Sequence, residues 1–141
     1  GKTANRWDSR RFASLANRLA RECHAGIVVT AGHMDDEPLR AMNAGLLQPA
    51  IVLHNEPIRH VAAVIDQLSL FITNDTGMMH VAGATRTQVV SLFGPTDPHE
   101  WAPVGEKNHF ISSRDRQINS ISEEEVYLMA RLILQRSGSN T

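Results

Sequence analysis

Four short apolar runs punctuate the chain: Ile27–Thr30, Ile51–Leu53, Leu70–Thr73 and Gln88–Phe93. They are continuous rather than alternating, the pattern of strands covered on both faces. Between them lie segments with apolar residues every three or four positions, the spacing of amphipathic helices. Strands alternating with helices make βαβ units, so the expected fold is α/β, a Rossmann-like parallel sheet flanked by helices.

The individual elements carry local signals. Phe12, Leu15, Ala16, Leu19, Ala20 and Cys23 predict a first helix capped by Asp8 or Ser9 and ended by Gly26. Asp35-Asp36-Glu37 before Pro38 suits the cap and first turn of a second helix ending near Gly45. Ile51–Leu53 is expected as a buried strand, and Pro57 opens a helix through Ile58, Val61, Ala62, Ile65 and Leu68. Asn74–Gly77 is a turn feeding a short helix from Met78 to about Ala84. A weaker fifth strand falls at His109–Ile111, and Ser122 with Glu125 forms a capping box for a last helix through Val126, Met129 and Ile133. A length of 141 residues fits one domain, assigned to 1–136, with 137–141 as a loose polar tail.

Bulk properties exclude several classes of function. Fourteen Lys and Arg against fifteen Asp and Glu leave a net charge of −1, so no nucleic-acid partner is expected and any anion site is local. The single Cys23 cannot form an internal disulfide, which favours a reducing compartment. No apolar run approaches the roughly 18 residues of a spanning helix. The chain opens on Gly1-Lys2-Thr3 with no Met and no signal segment, as expected if upstream sequence was removed or if this is an excised piece, with function divided in either case.

Ligands of such sheets sit beyond the C-terminal ends of the strands, which should gather Thr3–Trp7, Gly32–Glu37, His54–Pro57, Asn74–Gly77 and Gly94–Pro98 on one rim. Within Thr73–His80, a turn with Gly77 at a helix start leaves N–H groups free for a phosphate. Thr76 adds a hydroxyl, Asp75 an acceptor for sugar hydroxyls, and His80 lies one turn on. Taken alone, the stretch reads equally well as a simple helix cap. In Phe93–Pro98 two prolines and a glycine stiffen a loop that presents Thr96, and a proline-rich corner without chemistry is an equal alternative.

Asn74-Asp75-Thr76-Gly77-Met78-Met79-His80-Val81-Ala82, followed by Ser91-Leu92-Phe93-Gly94-Pro95-Thr96-Asp97-Pro98, resembles the paired signature of the ADP-heptose:lipopolysaccharide heptosyltransferases, glycosyltransferase family 9. Asn5-Arg6-Trp7 with Phe12 and the Pro57-Ile58 helix start fit the same pattern, so the resemblance covers nearly the whole chain in order. It implies the C-terminal, donor-binding half of a GT-B glycosyltransferase, whose N-terminal acceptor domain is absent here. It carries diphosphate and sugar contacts over to Asp75, Thr76, Gly77 and His80, and a ribose-binding carboxylate to the Asp35–Glu37 loop, with Asp36 preferred. It places the adenine beside His54–Ile58, where Glu56 stands, and counts Thr96 and Asn5 among the donor-binding residues. Many members have Lys where Asn5 stands, and Arg6 or Lys2 is the candidate substitute.

The implied partners are an ADP-sugar donor and, through the absent domain, a lipopolysaccharide core acceptor. The implied reaction is inverting, with the catalytic base in the absent domain and neither metal nor cofactor required. The implied location is the cytoplasm of a Gram-negative bacterium, with room for peripheral contact at the inner face of the inner membrane. Two other readings stay open: a nucleotide-binding module without catalysis, and half of another GT-B enzyme such as a sugar-nucleotide epimerase.

Other features carry no chemistry. Gly1-Lys2-Thr3 lacks the upstream glycine and strand of a P-loop, and the scattered His offer no ligand spacing. Arg10, Arg11, Arg18 and Arg21 read as a solvated helix face, and Met78 and Met79 as packing residues.

Overall fold

A computed structural model describes residues 3–139. After a single 3-10 turn at Thr3–Asn5 the elements are α1 (Ser9–Cys23), β1 (Val28–Ala31), α2 (Asp36–Gly45), β2 (Ile51–His54), α3 (Ile58–Ile65) and β3 (Leu70–Asn74). Then come α4 (Gly77–Gly83), β4 (Gln88–Phe93), α5 (Pro98–Trp101), β5 (Asn108–Ser112), a second 3-10 turn at Ile118–Ser120 and α6 (Glu123–Ser139). All strand pairs are parallel, in the order β1-β2 and β3-β4-β5. The α/β alternation read from the sequence is thus present, but the sheet is divided in two. Among the described residues no strand pairing joins β1 to β3.

The three-stranded sheet carries the core. Its residues alternate between faces, as the period of two requires. Val90 and Leu92 of β4 pack with Trp7, Leu15 and Leu19 of the N-terminal segment and Val126, Ala130 and Ile133 of α6. Val89, one residue out of step, packs with Phe71, Ala82, Val61 and Ile65 on the opposite face. β4 therefore has helices on both sides, which accounts for its unbroken apolar run.

The two-stranded sheet is thinly covered. β2, expected as a buried strand, is largely exposed, with Ile51 64% accessible. It pairs along one edge only, and α2 contributes no buried residue to cover it. α2 is held instead by α1, where Gly45 lies so close to Ala13 that a Cβ on Gly45 would sit 2.9 Å from the alanine methyl.

The ends of the elements show which local signals prevailed. Asp8 caps α1 by accepting from the Arg10 N–H at 2.9 Å. The helix stops not at Gly26 but at His24, which takes the left-handed conformation at φ 56°. Ser122 and Glu125 form the expected reciprocal capping box. Asp35 stands at the N-cap of α2 without capping it. α6 runs on to Ser139, taking in the start of the expected tail, while residues 140–141 and Lys2 lie outside the described residues.

Candidate functional site

The C-terminal ends of the strands collect the expected loops. β3 delivers the chain into Asp75, whose backbone N–H donates to the Leu92 carbonyl at 3.1 Å and keeps the turn tied to β4. α4 then begins at Gly77 with Thr76 as its N-cap, and the Thr76 side chain makes no capping hydrogen bond. Its hydroxyl is left for another acceptor or donor. A Cβ built on Gly77 meets nothing within 4 Å, so the backbone there borders open space.

The N-terminal segment is pinned across this turn. Asn5 Nδ2 donates to the Asp75 carbonyl at 3.4 Å, and the Trp7 N–H donates to Asn74 Oδ1 at 3.0 Å. Trp7 is buried, its indole Nε1–H donating to the Ile121 carbonyl at 2.9 Å and its ring edge-on to Phe12. The anchored tryptophan fixes the neighbouring Arg6, whose guanidinium reaches Asp35 Oδ1 and the Met34 carbonyl, both at 3.1 Å. Asp35 in turn accepts from the Gly32 N–H at 2.8 Å. A half-exposed cation is thereby held on the rim between the Thr76 turn and the acidic loop.

The other expected residues fall around this centre. Asp36 is exposed and its Oδ1 lies 2.8 Å from His54 Nε2, linking the loops that follow β1 and β2. Glu56 stands on the loop after β2 with its Oε2 3.9 Å from His60 Nδ1. Asn55 before it adopts φ 59°, a left-handed conformation that asparagine tolerates better than most residues. Arg6, Asp35, Glu56 and Thr76 border one cavity of about 1270 Å³.

Asp75, Thr76 and Gly77 share one turn with Asn5 bonded to it, while His80 lies exposed on α4. Thr96 is half-buried in the loop after β4. Gly94 sets that loop's position, since a Cβ there would lie 2.7 Å from the Ile118 backbone nitrogen. No hydrogen bond of the described residues joins Thr96 to the others. The expected stiff corner continues into the short helix α5, capped by Asp97, which accepts from the His99 N–H at 2.9 Å.

Of the acidic loop it is Asp35, the neighbour of the preferred Asp36, that pairs with Arg6, one of the two cation candidates. Asn74, to which the motif alone assigns no role, holds the N-terminal segment. The usable signal was its position: a polar side chain closing a buried strand needs a partner.

Comparison with known proteins extends this geometry. The profile of glycosyltransferase family 9 (heptosyltransferase) matches residues 2–129. Lipooligosaccharide heptosyltransferase 2 of Haemophilus influenzae is 29% identical over 114 residues, covering 77% of this chain and 32% of that protein. The chain spans about a third of the length of the curated relatives it matches. Among solved structures, a glycosyl transferase family 9 protein from Veillonella parvula superposes with a TM-score of 0.88 at 25% identity, over 96% of this chain and 44% of that one. The Escherichia coli heptosyltransferase WaaC, solved with ADP, shares the fold with a TM-score of 0.84 at 19% identity, over 94% of this chain and 41% of its own. The Rossmann-like α/β architecture matches that of GT-B heptosyltransferases, and with a family match across nearly all of its length, the chain belongs to glycosyltransferase family 9, the heptosyltransferase family.

Proposed function

We propose that this chain is the donor-binding domain of an inverting glycosyltransferase that moves heptose from ADP-heptose to a lipopolysaccharide core acceptor. The observation that carries the reading is the Asp75–Gly77 turn, with an unengaged Thr76 hydroxyl and open space at Gly77. The donor's diphosphate lies against Thr76 and Gly77, and Asp75 and His80 face its sugar. The ribose hydroxyls meet the Asp35-Asp36 loop, and the adenine lies along His54–Ile58 beside Glu56. Thr96 borders the sugar from the neighbouring loop. Asn5 acts indirectly by holding the Asp75 carbonyl, and the cation that Asn5 cannot supply is Arg6, 3.1 Å from Asp35 and able to exchange that carboxylate for a phosphate.

The chemistry follows from the charge. An acceptor hydroxyl attacks the anomeric carbon on the face opposite the diphosphate, its proton passing to a base in a separate acceptor domain. The bond to the diphosphate breaks and ADP leaves with the electron pair. Arg6 and the backbone N–H groups around Gly77 stabilise the developing charge and are already in place before reaction. Binding of the acceptor at the cytoplasmic face of the inner membrane belongs to this reading. On it, the chain alone binds donor without transferring sugar. No helix of the described residues is long and apolar enough to cross a membrane.

Titrating ADP and UDP into the chain by chemical-shift perturbation tests the assignment. ADP should bind at least several-fold more tightly, because a purine-shaped site leaves polar groups unpaired against uracil, at a cost of about 1–3 kcal/mol per buried group. Tighter UDP binding would move the chain to another sugar-nucleotide enzyme. Sugar transfer by the chain alone would overturn the division of labour.

A further inference from the structure

The first turn of α2 and the last residue of β2 meet above the ends of the two-stranded sheet. β1 and β2 stop side by side, with Ala31 opposite His54 in the parallel register. The Asn55 N–H donates to the Ala31 carbonyl at 3.0 Å and Asn55 takes φ 59°, so the chain turns away directly after His54. His54 is thereby held at the strand end, and its Nε2 lies 2.8 Å from Oδ1 of Asp36, the first residue of α2. A carboxylate only accepts hydrogen bonds, so the ring carries a proton on Nε2 and donates it. The two aspartates of the acidic loop are engaged differently. Asp35 has both oxygens occupied, Oδ1 by Arg6 at 3.1 Å and Oδ2 by the Gly32 N–H at 2.8 Å. Asp36 has only Oδ1 occupied, and among the described residues its Oδ2 has no partner.

A carboxylate on the open first turn of a helix rotates freely unless something holds it, and ordering it at the moment of binding lowers affinity. The Asp36 side chain is 63% accessible, so burial does not hold it; the bond from His54 does. We propose that His54 is a positioning residue for the donor: it fixes Asp36 through Oδ1 and leaves Oδ2 aimed to accept from the ribose diol. His54 acts through that carboxylate and not by a contact of its own ring with the nucleotide. The inference rests on the donor site proposed above and narrows its ribose contact from a loop to one carboxylate and the side chain that sets it. Asp35 plays a different part, since its Oδ2 is spent on the turn of its own loop and its Oδ1 on Arg6.

The test compares two ligands, ADP and 2′,3′-dideoxy-ADP, which lacks the diol, with dissociation constants read from amide chemical-shift titrations at one pH and salt. The parent chain should bind ADP more tightly than the dideoxy nucleotide. His54→Ala should weaken ADP about three- to tenfold and leave the dideoxy nucleotide within about twofold of its parent value. His54→Gln, whose amide still donates to a carboxylate, should recover most of the lost ADP affinity. Asp36→Ala should weaken ADP at least as much as His54→Ala, and the double variant should lose no more than Asp36→Ala alone. Asp36 is exposed and His54 borders solvent, so the variants should keep their melting temperatures within a few degrees. Equal losses for both nucleotides in His54→Ala would set its ring against the adenine or mark it as structural. Losses that multiply in the double variant would show the two side chains acting independently. Either result overturns the proposal, as does ADP affinity unchanged by His54→Ala. A parent chain that binds both nucleotides equally overturns it and leaves the diphosphate site standing, whereas a parent that binds no ADP overturns the donor reading with it.

Discussion

The two sheets are built from similar sequences and end in different environments. β4 and β2 are both apolar runs, yet Leu92 is wholly buried while Ile51 is 64% accessible. β4 has a strand on each edge and a helix layer on each face; β2 has one paired edge and α2, which buries nothing. An apolar run therefore records what a strand can bury, and its neighbours decide whether it does. The same contrast governs the rim. The Thr76 turn grows from the well-packed half, whereas the acidic loop of Asp35 and Asp36 grows from the thinly covered half and is tied across by Arg6.

That comparison breaks most readily at paired truncations. Leu92→Ala should cost about 2–5 kcal/mol, because it opens a cavity in the main core. Ile51→Ala should stay within about 0.5 kcal/mol, as a surface change does. Denaturant unfolding of both variants checks this, and a comparable loss at Ile51 would show that β2 is covered in solution. A smaller effect is expected at the tryptophan that anchors the N-terminal segment to the main core. Trp7→Phe removes the donor to the Ile121 carbonyl, which keeps the Arg11 guanidinium at 2.8 Å, so a loss of about 1–2 kcal/mol is expected by the same measurement.

The smallest effect lies in acid. Asp115 accepts from the Ser113 and Ser120 hydroxyls and the Gln117 N–H, which hold its carboxyl down at about 2. Its folded-state value lies below the unfolded one of about 3.9, so its contribution is present above roughly pH 4 and disappears as pH falls through about 2. Asp115→Asn should remove that contribution, lowering stability slightly at neutral pH, leaving it nearly unchanged near pH 2 and flattening the profile between. Thermal melts between about pH 5 and pH 2 read the difference, and an unaltered acid limb would contradict the assigned hydrogen bonds.

What the sequence made legible follows the range of the forces involved. The Asp8 cap, the Ser122–Glu125 box and the turn at Asn74–Gly77 act within a few residues, and each stands where local chemistry puts it. β5 was faint because its exposed Phe110 interrupts any clean pattern. The exposure of β2, the bond from Trp7 to Asn74 and the bridge from Arg6 to Asp35 join residues far apart in the chain. No local spacing announces them. Which of Asp35, Asp36 and Glu37 the N-terminal segment meets is set by the packing around Trp7, far away in sequence.

The proposed donor site places a diphosphate against Thr76 and Gly77. Its most direct test is ADP titration of the chain and of Gly77→Val, followed by amide chemical shifts. The valine has room in the unliganded fold, since nothing lies within 4 Å of a Cβ there, so the variant should keep its melting temperature within a few degrees. In the parent chain ADP should move the amides of Asp75 to His80 and of the Gly32–Asp36 loop. In the variant its affinity should fall at least about tenfold, a loss of roughly 1.4 kcal/mol. ADP affinity unchanged by Gly77→Val, or shifts confined to other loops, would contradict the placement of the donor.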